Sequence, residues 1–175
     1  MASDTRLGGS SWRIAGWGLA VLVLLTPFLA MQFTSGVNWT GSDFIFAAVL
    51  IGGVGLLFEL TVRLSDSSAY RAGVGLALAA SFLTIWASGA VGMIGDEGNP
   101  LNLMFAGVLA IALLGSAIAG FRPPGMARAM AVTAAAQLAA SLVGMFADLR
   151  GGLVSALFAL IWLASAAMFG RAERR

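Results

Sequence analysis

The chain contains no cysteine, histidine or lysine, and its ten basic residues are all arginine. It therefore cannot supply a histidine-ligated haem, an iron–sulfur cluster, a thiolate nucleophile or the common zinc sites. A Ser-His-Asp triad and a lysine Schiff base are excluded in the same way. These absences remove most familiar catalytic centres, so we expect the protein not to be an enzyme and to need no cofactor.

Charged side chains are also scarce. They make up 10% of the chain, against 59% hydrophobic residues, whereas about a quarter of the residues in a soluble domain are charged. Ten basic and eight acidic residues cannot cover the surface of a water-soluble fold of 175 residues. The arginines are scattered rather than massed on one face, so nucleic acid is not an expected partner. The composition predicts an integral membrane protein whose first partner is the lipid bilayer.

The long apolar stretch from Asp43 to Arg63, DFIFAAVLIGGVGLLFELTVR, shows the plan of the chain. As a helix it is about 30 Å long, which matches the hydrocarbon core of a bilayer. Comparable stretches predict an all-α integral membrane protein, a bundle of six transmembrane helices. The predicted helices cover residues 14–33, 43–63, 72–94, 101–121, 127–147 and 153–170.

The predicted domain organisation is a flexible cytoplasmic tail (1–13), a six-helix transmembrane domain (14–170) and a basic cytoplasmic tail (171–175). A basic start followed by an apolar run also fits a secretory signal peptide. The length of the run and the poor cleavage site around Phe28 favour an uncleaved helix.

The arginines predict the orientation. With the N-terminus in the cytoplasm nine arginines face that side and only Arg150 faces the other, as the positive-inside rule requires of short loops. We therefore predict that both termini lie in the cytoplasm, in the inner membrane of a bacterium. The nine are Arg6, Arg13, Arg63, Arg71, Arg122, Arg128, Arg171, Arg174 and Arg175.

An internal repeat is a further prediction. Residues 43–63 align without a gap on residues 102–122, with a polar start, an arginine end and several matching apolar positions. The sixth predicted helix aligns more loosely on the fourth. Such a pattern is typical of duplicated helical hairpins. Chance matching between apolar, alanine-rich helices is the alternative.

Glu59 is the carboxylate that lies well inside a predicted membrane span. Burying a carboxylate there costs a few kcal/mol, so it is a functional candidate by default. It would bind a proton or another cation, with Arg63 and Gln137 as further candidate residues. The structural alternative, which we favour, is an ion pair with Arg63 four residues along the same helix. Gln137 lies between Thr133 and Ser141 in a polar stripe, for which helix packing is the favoured interpretation.

A second candidate site is an acidic face on the side opposite to most arginines. Its oxygen-bearing side chains could hold a hard cation such as calcium. Each residue also has a local explanation, because Asp43 and Asn99 stand where helix N-caps are expected. Capping is the favoured interpretation, and a metal site is left open. The residues of this face are Asp43, Asp96, Glu97, Asn99 and Asp148.

Three segments carry a resemblance: MQFTSGVNWTGSDF (31–44), Tyr70-Arg71 and GDEGNPLNLMF (95–105). They resemble uncharacterised small multi-pass inner-membrane proteins of proteobacteria. The likeness covers most of the chain from the first to the fifth predicted helix. That group has no known activity, so the resemblance implies location and topology and carries over no functional residue.

We therefore expect a non-enzymatic membrane protein that acts through helix packing, as a homo-oligomer or with a membrane-protein partner in an inner-membrane assembly. The alternative is a small transporter or channel for an ion or small solute that uses Glu59. The two differ in whether Glu59 faces a water-accessible cavity.

Overall fold

The computed structural model describes residues 5–174. Within this range the chain forms six α-helices and one short 3-10 turn, and no strand. The helices are α1 (Thr5–Phe33), α2 (Gly41–Leu64), α3 (Ser68–Ala90), α4 (Leu103–Ile118), α5 (Pro123–Met145) and α6 (Leu149–Glu173), and the turn is Pro100–Asn102.

All six of these helices in residues 5–174 are long and apolar enough to cross a membrane, judged by length and composition. The prediction of an all-helical chain with six candidate spans is thus confirmed, and it indicates a multi-pass membrane protein. The kind of membrane and the side on which each terminus lies stay predictions.

The ends of the chain are more helical than predicted. Helix α1 begins at Thr5 rather than at residue 14, and α6 continues to Glu173 rather than ending at residue 170. Both predicted tails therefore contain helical residues, since a helix that is already nucleated extends readily, whereas the division into two tails and a transmembrane domain stays a prediction. Residues 1–4 and 175 of those tails lie outside the described range.

Helix α3 ends earlier than predicted because of one glycine. Gly92 has a φ of +80°, and a Cβ at this position would overlap the backbone of Asp96. Only glycine adopts this conformation without strain, so the chain turns out of the helix here. Asn99 then starts the 3-10 turn as its N-cap, and its side-chain oxygen accepts a hydrogen bond from the Leu101 N–H at 3.0 Å.

Helix α6 begins earlier than predicted. The sequence Arg150-Gly-Gly was expected to be part of a turn, yet both glycines lie in the first turn of α6. Both glycines allow neighbouring backbone atoms to lie close to the start of α6. A Cβ on Gly151 would meet the Met93 carbonyl, and one on Gly152 would meet the backbone of Met145.

The chain divides into two units, Met1–Glu59 and Leu60–Arg175. In the first unit, α1 and the beginning of α2 are joined by a loop that aromatic rings flank. The Phe44 ring makes edge-to-face contacts with Trp39 and Phe28, at centroid distances of 5.2 and 6.4 Å. These rings fix the turn between the two helices.

In the second unit, the most extensive packing joins α5 to α6, while α3 lies against α6 and α4 against α5. The core between them is built on two large side chains, Trp162 and Phe169, with Met126 and Met130. A second apolar cluster around Ile94 and four further residues fills the end near the α3–α4 loop; the four are Met93, Phe105, Val108 and Ala140.

The two segments of the predicted repeat differ in extent. Helix α2 continues through Arg63, whereas α4 ends at Ile118, and the chain turns at Gly120 and Phe121, which both have φ of +57°. The gapless alignment therefore fails structurally over its last turn. The duplication itself stays a prediction.

Candidate functional site

Glu59 lies in a polar cluster of the first unit, where α1 faces α2. Its Oε1 is 3.2 Å from Nη2 of Arg13, and its Oε2 accepts a hydrogen bond from the Trp17 indole N–H at 3.3 Å. The Glu59 side chain is 17% exposed. Both carboxylate oxygens are thus engaged by α1, which offsets part of the cost of placing a charge there.

The cluster depends on matching spacings in the two helices. Arg13 and Trp17 are four residues apart on α1, and Gly55 and Glu59 are four residues apart on α2, so each pair lies on one helix face. A Cβ on Gly55 would come within 3.1 Å of the Trp17 ring. Glycine at this position therefore makes room for the indole that hydrogen-bonds to Glu59.

The sequence did not predict this partner. Arg13 was placed in a flexible tail, whereas the structure extends α1 through Arg13 and pairs it with Glu59. The expected pair of Glu59 with Arg63 stays a prediction. One signal could have found the pair. A membrane carboxylate needs a cation, and Arg13 has an indole donor one turn away on the same face.

Gln137 occupies a separate place, in the interior of the second unit. Its amide Nε2 donates a 2.9 Å hydrogen bond to the Ser155 carbonyl, which joins α5 to α6. The Ser155 hydroxyl donates to the Ser141 hydroxyl at 2.8 Å, and the Ser141 hydroxyl donates to the Gln137 carbonyl at 2.8 Å. All three residues are fully buried. Thr133, the other member of the predicted stripe, donates within its own helix, to the Ala129 carbonyl.

A further buried hydroxyl joins α6 to α3. Ser165 donates a 2.7 Å hydrogen bond to the Gly73 carbonyl, and the Phe169 ring lies against Gly73, where a Cβ would come within 3.1 Å of it. Buried serines and small residues at a helix interface are typical of membrane helix packing. Sequence reasoning missed this contact, because neither residue belongs to a polar motif.

Four buried polar atoms of the second unit have no hydrogen-bond partner among the described residues. An unpartnered buried polar atom costs about 1–3 kcal/mol. They lie on three helices, which makes the interior of this unit more polar than packing alone requires. The atoms are Thr84 Oγ1, Ser88 Oγ, Gln137 Oε1 and Trp162 Nε1.

Most residues of the predicted acidic face accept hydrogen bonds at the starts of helices. Asp43 accepts hydrogen bonds from the Thr40 N–H and hydroxyl at 2.7 and 2.8 Å, at the start of α2. Asn99 caps the 3-10 turn, as described above. Asp96 and Glu97 are exposed. In residues 5–174 no three acidic side chains come together to hold a metal ion, so the cation site stays a prediction with no cluster behind it.

Asp148 makes a further hydrogen bond besides the one that caps α6. Its Oδ1 accepts from the Arg150 N–H at 3.0 Å, and its Oδ2 accepts from the Gly95 N–H at 3.1 Å. The backbone donors of Gly95 and Gly151, with the nearby Arg150 charge, hold the pKa of Asp148 below its ordinary value, although partial desolvation opposes them. The carboxylate thus fastens the α3–α4 loop to the start of α6.

Acidification is expected to weaken this contact between the α3–α4 loop and the start of α6. The pKa of Asp148 is lower in the folded chain than in the unfolded one. Its charge therefore stabilises the fold at pH values above the unfolded pKa of about 3.9. That contribution is lost as the pH falls through the folded pKa. Thermal unfolding of Asp148→Asn, which keeps a cap acceptor, should differ from the parent at pH 7, and the two should converge only as the pH falls below the unfolded pKa and through the folded one.

The matched control is Asp96→Asn, whose carboxylate is exposed and accepts no hydrogen bond from the described residues. A difference between Asp148→Asn and the parent that persisted at low pH would assign the effect to geometry rather than to charge.

The chain was compared with protein families, curated proteins and solved structures, and nothing in any of the three matches it.

Proposed function

We propose that the protein is a non-enzymatic membrane component that acts through helix packing, as a homo-oligomer or as part of a larger membrane assembly, and that it associates through α1 and α2. The observation that carries the proposal is the unequal burial of the helices. None of the α1 span and 6% of the α2 span is buried within the chain, against 44% for α5 and 33% for α6.

The backbone of α2 is open to a close neighbour. Gly52 and Gly53 lie in the middle of the helix, and a Cβ on either would meet nothing within 4 Å. Glycines of this kind let a second helix approach closely, and close approach is what drives helix association in lipid. The buried hydroxyls of the second unit serve the same purpose inside the chain, because they join its helices.

Because the chain has no cysteine, a single introduced cysteine gives a clean test. Gly53→Cys would be labelled in native membranes with a photoreactive maleimide and irradiated. We expect adducts with protein, either a second copy or another membrane protein identified by mass spectrometry. Gly107→Cys is the control, since Gly107 lies in the second turn of α4 and is also open to its surroundings.

The expected control result is labelling of lipid alone at position 107. Lipid adducts alone at position 53, or equal protein adducts at both positions, would contradict association through α2.

The alternative, a small transporter or channel, is favoured by one observation, the four unpartnered polar atoms inside the second unit. Glu59 supports it less well. A carboxylate that carries a proton must release its partners, and this one is held by Arg13 and Trp17. Ion flux into liposomes that depends on Glu59, and is lost in Glu59→Gln, would support the alternative over the packing role.

A further inference from the structure

An open cavity of about 680 Å³ lies in the second unit, where α3 begins and α6 ends. Its lining combines two arginines with a serine and three small or apolar side chains. The lining residues are Ser68, Ala69, Ala72, Met168, Arg171 and Arg174.

The position of this cavity along the helices follows from the packing of α3 on α6. The Ser165–Gly73 hydrogen bond fixes the register of the two helices, and the Tyr70 and Phe169 rings meet edge to face at 5.2 Å. The first residues of the α3 span therefore lie beside the last residues of the α6 span. The ends of membrane spans are at the level of the lipid headgroups.

The cavity is positively charged. Neither Arg171 nor Arg174 forms an ion pair within the described part of the chain, and both are exposed. Arg174 Nε donates to the Gly170 carbonyl at 3.3 Å and Arg171 Nη1 is 3.9 Å from the Met168 sulfur, so most of their N–H groups are available. Guanidinium groups bind phosphate oxygens through paired hydrogen bonds.

Two further features of the cavity favour a ligand that carries a phosphate group. The Ser68 hydroxyl and the positive end of the α3 dipole add weakly to the attraction for an anion, although the two arginines and the space between them carry the assignment. Met168 and Ala72 give the cavity an apolar side. A group with a phosphate and an attached hydrocarbon portion matches this combination, whereas a free anion would leave the apolar side unused.

We propose that this cavity binds the phosphate group of an anionic membrane lipid, with Arg171 and Arg174 as the phosphate-binding residues. Basic pockets between helices at the membrane surface are the kind of site that lipid headgroups occupy.

The test uses the full chain, purified in neutral detergent, with bound lipid counted by native mass spectrometry. Phosphatidylglycerol and phosphatidylcholine are titrated separately, and inorganic phosphate is added as a competitor. We expect phosphatidylglycerol to bind in preference. The double variant Arg171→Gln/Arg174→Gln should weaken its binding roughly tenfold or more, since each arginine at the surface contributes appreciably to the attraction.

The matched control is Arg122→Gln/Arg128→Gln, which removes the same charge from the α4–α5 turn and the first turns of α5. That turn lies at the same end of the unit, because the Tyr70 hydroxyl donates to the Phe121 carbonyl. The control should change binding by less than about threefold. Ala72→Trp, which fills the cavity without changing charge, should also weaken phosphatidylglycerol binding.

Equal loss in the two double variants would show a diffuse charge effect and overturn the proposal. Unchanged binding in Ala72→Trp would overturn it too, and so would binding of inorganic phosphate without binding of the lipid. Thermal unfolding of each variant, measured in the same detergent, separates a lost site from a lost fold.

Discussion

Gly152→Ala is expected to destabilise the second unit by about 1–3 kcal/mol, which is the usual cost of forcing extra volume into a packed interior. Gly152 is buried in the first turn of α6. A Cβ there would lie 2.8 Å from the backbone nitrogen and 2.9 Å from the Cα of Met145. These are backbone atoms, so no rotamer change relieves the overlap, and the turn between α5 and α6 must open. A lowered unfolding temperature in detergent or nanodiscs would show it.

Gly107→Ala provides the control for this experiment. Gly107 lies within a helix as well, in α4, but a Cβ there meets nothing within 4 Å. Alanine is favoured over glycine inside helices by about 1 kcal/mol, so this variant should unfold at the same temperature or higher. Equal destabilisation by both substitutions would mean that close approach at Gly152 is not what the glycine provides.

Trp162→Ala should have the largest effect of any single substitution in the core, about 3–5 kcal/mol. Trp162 is the largest fully buried side chain of the described chain. It belongs to the cluster that contains Met126, Met130 and Phe169. Its removal would leave a cavity among these side chains, and in a membrane the lost van der Waals contacts are the main term. Thermal unfolding and protease sensitivity would both report the loss.

Trp162→Phe separates the volume of the side chain from its polar atom. The indole N–H has no hydrogen-bond partner among the described residues, so phenylalanine keeps most of the volume and removes an unsatisfied donor. We expect a clearly smaller loss than for Trp162→Ala, because phenylalanine leaves a much smaller cavity. A loss as large as that of Trp162→Ala would indicate that the N–H has a partner in the membrane, such as an ordered water.

The helices were predictable because membrane spans are set by length and apolarity, and each of the six is a long uninterrupted run. Their ends were not, because glycine has two uses that look alike in a sequence. Gly92 ends α3 through a positive φ, whereas Gly151 and Gly152 lie inside α6 and allow close packing. Which use applies depends on what lies opposite in space.

The candidate site was predictable in part. Glu59 could be singled out, since a carboxylate in an apolar run needs an explanation. Its partners Arg13 and Trp17 could not, because they lie over forty positions away and the helix that carries them was expected to begin later. Gln137 was placed correctly on α5, but its bond to Ser155 depends on the pairing of α5 with α6, which periodicity does not specify.

The weak contact between α3 and α4 has a consequence for biosynthesis. These helices are consecutive, yet they touch little: each packs mainly on another helix, α3 on α6 and α4 on α5. Their connection is held instead by Asn102, whose side chain bonds to the backbone of Met93, Ile94 and Asp96. During synthesis the main partner of α4 follows directly as α5, whereas the main partner of α3 is α6, which is made later. The interior of the second unit can therefore close only after α6 has been made.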